Sequence, residues 1–452
     1  MKNRRKDRWA LVRRLSRSVV ASHFAVWLCV AQEPVLSLEG AVTLAKRQNA
    51  QIQIANLDVT KAVEETSQAK TQRLPVFKVY ANVGESLTPI NLSIPMGALG
   101  EFPATGPVPA QDAAIKTPRQ IAGFIYGTAG QPLSQLYKAG LGVREARIGE
   151  EAARERARQQ IRETTQQVRQ SYYQLTQTQS QMAAAQISLK YLEELSVYTE
   201  RNLARETVLK SDMLNVAAKL SQQRYQLVTL ADYFATQKEA LNHLLGRDLR
   251  TGFTIEPEPP PSEDEVSLPV AQHKALDQRP EMRQARLQSR KAELDVRQER
   301  AEYIPDLSAQ ISYLSFPNLN FFPKNIVTAG FLLEWQPFDW GQKKHKLAEL
   351  RGSSKQAALT EHDTEQQILL DVNASFRKLT EARALLAVAA ASQEVEREKL
   401  RVAMNRYKEK AALLTDVLNQ QSALAQADMQ YSLDLASFWT AKATFDHSLG
   451  DQ

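Results

Sequence analysis

From Glu150 to Leu245, and again from Ser353 to Leu449, the chain contains neither glycine nor proline. Alanine, glutamine, glutamate, arginine, lysine and leucine dominate both stretches, and such a composition without a breaker forms helix. At 1.5 Å per residue, the segment from about Lys138 to Asn202 alone would run on the order of 100 Å. A compact globule cannot house a rod of that length, so the fold must be elongated.

The apolar positions on these helices recur every seven residues. One series is Ile161, Val168, Leu175, Met182 and Leu189; a second is Met213, Leu220, Leu227, Phe234 and Leu241. Farther on come Val372, Leu379 and Leu386, then Val417, Leu424, Tyr431, Phe438 and Phe445. A period of seven keeps one narrow seam against a partner helix and leaves the remaining surface wet. The expectation is therefore long antiparallel coiled-coil helices, consistent with an apolar content of only 43%.

The sequence also repeats itself. At an offset of 230, Ala41, Ala55, Leu57, Lys61, Ala62 and Pro75 meet Ala271, Ala285, Leu287, Lys291, Ala292 and Pro305. At an offset of 204, Val168, Ser171, Leu175, Asp212, Leu214 and Asn215 meet Val372, Ser375, Leu379, Asp416, Leu418 and Asn419. Self-similarity on this scale implies two copies of one structural unit, the first enlarged by an insert between Pro75 and Pro132.

Four segments between the helices have a period of two instead. In 325–337, Val327, Ala329, Phe331, Leu333 and Trp335 alternate with mostly small or polar residues; 75–84, 120–132 and 305–316 are similar. Alternating segments of about ten residues tipped with aromatics are the pattern of membrane-spanning β-strands. On that pattern Val327, Ala329, Phe331, Leu333 and Trp335 are expected to face lipid. The stretch 84–118, rich in proline and glycine, is expected to be an irregular outer loop. A proline-rich linker, 251–270, should join a first repeat (32–250) to a second (271–450). The long helix pairs are expected over 133–246 and 341–450.

Residues 1–31 read as a secretory signal: a basic start, an apolar run from Val19 to Ala31 and a small-residue exit near Ala31. This leader holds eight Lys/Arg against Asp7, so the formal +6 of the whole chain becomes −1 without it. The basicity therefore belongs to the leader, which argues against nucleic acid as a partner. Cys29 is the only cysteine, leaving no intrachain disulfide to form. The six histidines are scattered, and no metal cluster, phosphate loop or nucleophile elbow stands out, so neither an enzyme nor a cofactor is expected.

Four spanning strands cannot close a barrel, and open sheet edges are not tolerated in lipid. The chain must then associate with copies of itself. With this order of elements on the page, it resembles the TolC family of outer-membrane efflux proteins over roughly Leu38 to Gly450. The resemblance is carried by "QPFDWG" at 336–341 with the weaker "QPL" at 131–133, "LLG" and "SLG" ending at Gly246 and Gly450, "RPE" at 279–281, and the hairpin stretches "VLKSDMLN" (208–215) and "LLTDVLN" (413–419).

That resemblance implies a homotrimer with a twelve-stranded barrel in the outer membrane, in contact with its lipid, and an α-helical tunnel in the periplasm. It implies docking at the hairpin tips to a periplasmic membrane-fusion adaptor and an inner-membrane pump of the RND, ABC or MFS type. Candidate docking residues are Val208, Leu209, Lys210, Leu413, Leu414 and Thr415. Candidate residues of the periplasmic entrance gate are Ser211, Asp212, Tyr407, Asp416 and Asn419, with a Tyr407–Asp212 bond as latch and Asp416 as an acidic ring. Asp212 and Asp416 also stand where a helix-capping carboxylate would. The family's usual tip glycine is absent, Lys410-Ala411 standing in its place. A periplasmic coiled-coil adaptor or spacer without a pore would share the leader and long helices, but not four strands at helix junctions.

Overall fold

The computed structural model describes residues 34–85, 87–88, 90–117, 121–205, 209–256, 267–316 and 323–450. The expected signal, the proline run of the linker and Val208 lie outside the described residues.

The chain is mainly helical. A two-residue strand β1 (Val35–Leu36) leads into helices α1 (Leu38–Gln48) and α2 (Ala50–Thr71), then strand β2 (Val76–Glu85). The next segment holds β3 (Ile90–Ile94), β4 (Glu101–Phe102), β5 (Gly106–Pro107) and β6 (Ala113–Thr117), before β7 (Ile121–Pro132). Helices α3 (Gln135–Leu203) and α4 (Lys210–Leu244) follow, then β8 (Thr254–Ile255). The order recurs as α5 (Leu268–Gln278), α6 (Pro280–Ala301), β9 (Asp306–Ser315), β10 (Asn325–Glu334), α7 (Gln342–Lys408) and α8 (Leu414–Leu449). No helix of the described residues is long and apolar enough to cross a membrane.

The long helices pack through the seam that the seven-residue period marks. Val168, Leu175 and Leu241 are fully buried with Ala41, Ala45 and Phe253 where α3, α4 and α1 meet. Val372 and Phe445 join Ala271, Ala275 and Ile368 where α7, α8 and α5 meet. Each short helix pair flanks only the sheet-side half of its long helix; the far half is held by hairpin partners and a small terminal cluster of Leu192, Leu195, Val216, Leu414 and Leu418.

Gly246 and Gly450 end α4 and α8 for one reason. Both adopt positive φ, 71° and 96°. A Cβ on Gly246 would lie 2.3 Å from the Gln48 carbonyl oxygen, and one on Gly450 2.8 Å from the Gln278 Cβ. The helix end thus abuts the kink between two short helices, where Asn49 caps α2 by accepting from the Gln51 and Ile52 N–H groups while its Nδ2 donates to the Leu244 carbonyl at 2.8 Å. Gly246→Ala should cost on the order of 3 kcal/mol, combining left-handed strain with backbone overlap. Thermal melting followed by the helix signal checks this, with Gly149→Ala, where a Cβ meets nothing within 4 Å, staying near the parent.

The four longer strands form one antiparallel sheet in the order β10-β9-β7-β2. The ladder of β10 stops at Glu334, so Trp335 lies just past the sheet; Pro337 lacks the N–H needed to extend it. The segment 84–118 is not irregular: β3 pairs with β6 and β4 with β5, both antiparallel. Pro95, Gly97, Gly100 and Pro103 stand between its strands, while Gly106 and Pro107 form β5 itself. The start of the linker is also ordered, since β8 lies parallel to β1, Val35 beside Thr254 and Leu36 beside Ile255. Tyr172 of α3 clasps this pair, its hydroxyl lying 2.9 Å from the Leu36 carbonyl and 2.8 Å from that of Glu256.

Candidate functional site

The sheet register sorts its side chains by face, because directly opposed residues of antiparallel strands point the same way. Val327, Ala329, Phe331 and Leu333 of β10 oppose Tyr313, Ile311, Ala309 and Leu307 of β9. Tyr313 and Ile311 in turn oppose Gly127 and Ala129 of β7, and those oppose Val79 and Phe77 of β2. One face is therefore apolar across all four strands. The other mixes Thr328, Ser312, Gln310, Ser308, Thr128, Lys78 and Asn82 with Leu332, Leu314, Tyr126, Tyr80 and Phe124. Among the described residues nothing covers the apolar face: Phe331 is 76% exposed and Val79 75%. Both outer strands, β2 and β10, keep one edge unpaired within the sheet.

At the opposite end of the helices, Leu209 and Leu413 occupy equivalent extended positions before α4 and α8, and both are exposed. Lys210, Ser211, Thr415, Asp416 and Asn419 are exposed as well. Leu414 is not a surface residue: it is 5% exposed, packed into the terminal cluster. The first turn of α8 turns this side chain inward, so it cannot meet an outside partner directly.

Asp416 caps α8, its Oδ2 accepting the Leu413 N–H at 2.9 Å. Tyr407 stands edge-on to Tyr198 with ring centroids 5.7 Å apart, against the same terminal cluster. Burial, then Tyr198 and the charge of Asp212, push its phenol up from the usual tyrosine value. Asp212 and Tyr407 thus lie within electrostatic reach, although no hydrogen bond joins them among the described residues. Lys410 takes the place of the absent glycine by adopting φ 56°. The Lys410 N–H donates to the Tyr407 carbonyl at 3.0 Å and that of Ala411 to Arg406 at 2.8 Å, the bonding of a left-handed helix cap. A lysine there costs roughly 1–2 kcal/mol relative to glycine.

Sequence reasoning missed a buried polar node midway along the helices. Arg162 of α3 is 2% exposed and Arg279, before α6, 7%. Arg279 donates to Glu281 through Nε and Nη2, each at 3.4 Å, and through Nη1 to Asp371 at 3.3 Å. Arg162 donates to Glu281 at 3.4 Å and to the His447 carbonyl. Burial pushes the Glu281 carboxyl up, but Arg279 and Arg162 outweigh it and hold the group below the usual carboxylate range. Burial, followed by the Arg162 charge, brings the His447 imidazole down to about 4. The "RPE" motif was visible, but nothing marks Arg162 among its neighbours Arg154, Arg156 and Arg158. Among the described residues no cluster could hold a metal ion.

Comparison with known proteins places this geometry. Residues 271–451 match the family described as outer membrane efflux protein, while no curated protein matches the chain. Among solved structures, the outer membrane protein VceC of Vibrio cholerae is 18% identical with a TM-score of 0.74, covering 92% of this chain and 96% of its own. CusC, described as forming a transmembrane channel, is 16% identical with a TM-score of 0.76, covering 92% of each chain. The CmeC outer membrane channel of Campylobacter jejuni is 14% identical with a TM-score of 0.74, covering 91% of this chain and 85% of its own. Residues 271–451 are therefore similar to the outer membrane efflux protein family, and the chain has the fold of these outer-membrane channels.

Proposed function

We propose that three copies of the chain form a passive duct, a twelve-stranded barrel in the outer membrane continued by a helical tunnel through the periplasm. The duct receives cargo from an inner-membrane pump of the RND, ABC or MFS type through a periplasmic adaptor docked at the hairpin tips. Residues 1–31 are the export signal, and 32–250 and 271–450 are two versions of one unit joined by the linker 251–270.

The observation that carries this reading is the sheet. It has one face apolar across all four strands and left bare by the described residues, an opposite face where Thr328, Ser312, Gln310 and Lys78 stand among aliphatic and aromatic side chains, and two edges unpaired within the sheet. In water that arrangement is an aggregation hazard; in a bilayer it is stable once every edge is paired. Joining β10 of one copy to β2 of the next closes the ring, with lipid outside and water inside. The helices supply matching surfaces. Val388, Val395 and Val402 form a seven-residue stripe on α7 that the chain leaves exposed, and α4 exposes Tyr225 and Val228.

Recovery in the outer-membrane fraction as a heat-modifiable trimer, with ion current in planar bilayers, tests the reading. A soluble periplasmic monomer without current would reject it in favour of an adaptor or spacer.

The tips are the entrance in this scheme, held shut by Tyr407 and Asp212 and ringed by Asp416 and Asn419. Leu209, Lys210, Leu413 and Thr415 are left as the described surface for the adaptor, with Val208 beside them in sequence. Tyr407→Phe combined with Asp212→Asn should raise single-channel conductance; unchanged conductance would discard the latch.

A further inference from the structure

The turn between β10 and α7 concentrates positive charge where a helix least favours it. Lys343, Lys344 and Lys346, with His345 among them, fill the first turns of α7. A helix N-terminus attracts anions, so cations there are unfavourable. Local compensation is partial. Glu349 takes Lys346 at 3.0 Å, and the Lys343 Nζ lies 5.9 Å over the Tyr303 ring. Lys344 is exposed and meets no carboxylate among the described residues. The one acid in the turn, Asp339, is committed to the backbone, accepting the Gly341 and Lys343 N–H groups at 3.0 Å.

The same turn displays its aromatics. Trp335 is 61% exposed, Phe338 66% and Trp340 88%. Phe338 and Trp340 meet edge-on at 4.7 Å, so they form one projecting pair. Trp340 adopts φ 56°, a left-handed conformation that is strained for a residue with a side chain. The chain thus spends stability to hold a large indole away from itself, beside cations of which Lys346 alone has an ion pair among the described residues. Local rules broken together in this way mark a functional surface.

We propose that Trp335, Phe338, Trp340, Lys343, Lys344 and Lys346 form a collar that binds anionic phospholipid of the periplasmic leaflet of the outer membrane. The inference rests on the duct reading, which sets the apolar sheet face in hydrocarbon and this turn at its lower rim. The rings occupy the interface, as indoles do at membrane boundaries. The ammonium groups then reach the headgroup phosphates, which supply Lys344 with an anion it lacks among the described residues and add to the partial compensation of Lys343 and Lys346.

The test uses the full trimer in nanodiscs of phosphatidylethanolamine with a minor fraction of phosphatidylglycerol and cardiolipin, the retained lipids being identified by native mass spectrometry. The parent should retain the anionic lipids in excess over the bulk mixture. Lys343→Gln, Lys344→Gln and Lys346→Gln should each lower that excess, by about fivefold for a lysine at the surface, whereas Lys408→Gln at the far end of α7 leaves it unchanged. Retained lipid matching the bulk mixture, or an excess unmoved in the triple variant, would overturn the proposal. Added salt supplies a measurement that needs no variant: the excess must fall in the parent, and indifference to salt refutes electrostatic capture. An intact conducting trimer with no lipid preference defeats the collar alone; absence of a trimer or of current defeats the duct as well.

Discussion

Phe331→Arg should abolish recovery of the heat-modifiable trimer from the outer-membrane fraction, and Val79→Arg should do the same. Both side chains lie on the apolar face, three-quarters exposed, on the two outer strands of the sheet. A cation on the lipid side of a barrel costs about 2–4 kcal/mol near the midplane, and a trimer carries the change three times. Thr328→Arg, one face over on the same strand as Phe331, places its charge in the aqueous lumen and should assemble normally while altering conductance. Equal tolerance on both faces would show that the apolar face does not meet lipid.

Glu281→Ala should destabilise the helical region by about 3–5 kcal/mol, since it removes the carboxylate that two buried guanidinium groups share, leaving Arg162 to the neutral His447 carbonyl and Arg279 to the Asp371 carboxylate. The same node gives stability a pH dependence of definite sign. The His447 imidazole is held at about 4 against an ordinary 6.5, so the unfolded chain binds a proton that the folded chain refuses. Stability then falls as pH drops through the window from 6.5 to 4, by at most about 3 kcal/mol from this group. The depressed Glu281 adds a second loss in the same direction, beginning as pH falls below the ordinary carboxylate range. Melting of the helix signal across pH, for the parent and His447→Gln, checks this; the variant should lose the upper part of the slope.

Much of the helical architecture could be read from residue spacing. The absence of glycine and proline marks the long helices, and the seven-residue series picks out Val168, Leu175, Val372 and Phe438, all buried. Alternation located four strands because a sheet with one wet face writes its period into the sequence. Their spatial order, with β7 beside β9, is set by which edges meet and leaves no periodic trace. The pairing of β1 with β8 is invisible for a different reason: two residues are too short to show a period. Within 84–118 the turn residues masked a real hairpin. At the tips, sequence offered Leu414 as surface because an apolar residue beside a turn looks available, whereas helix phase turns it inward. The polar node depends on a crossing of four elements, and no local pattern announces it.

The clasp of Tyr172 on the paired strands β1 and β8 has a mechanical consequence. Above it the long helices are braced sideways by α1, α2, α5 and α6; below it, among the described residues, they have only one another. The clasp therefore acts as a fulcrum, where bending stiffness changes abruptly along an otherwise continuous lever. Displacement imposed at the free ends would be absorbed below this point, and the sheet-side half would stay still while the lower half swings.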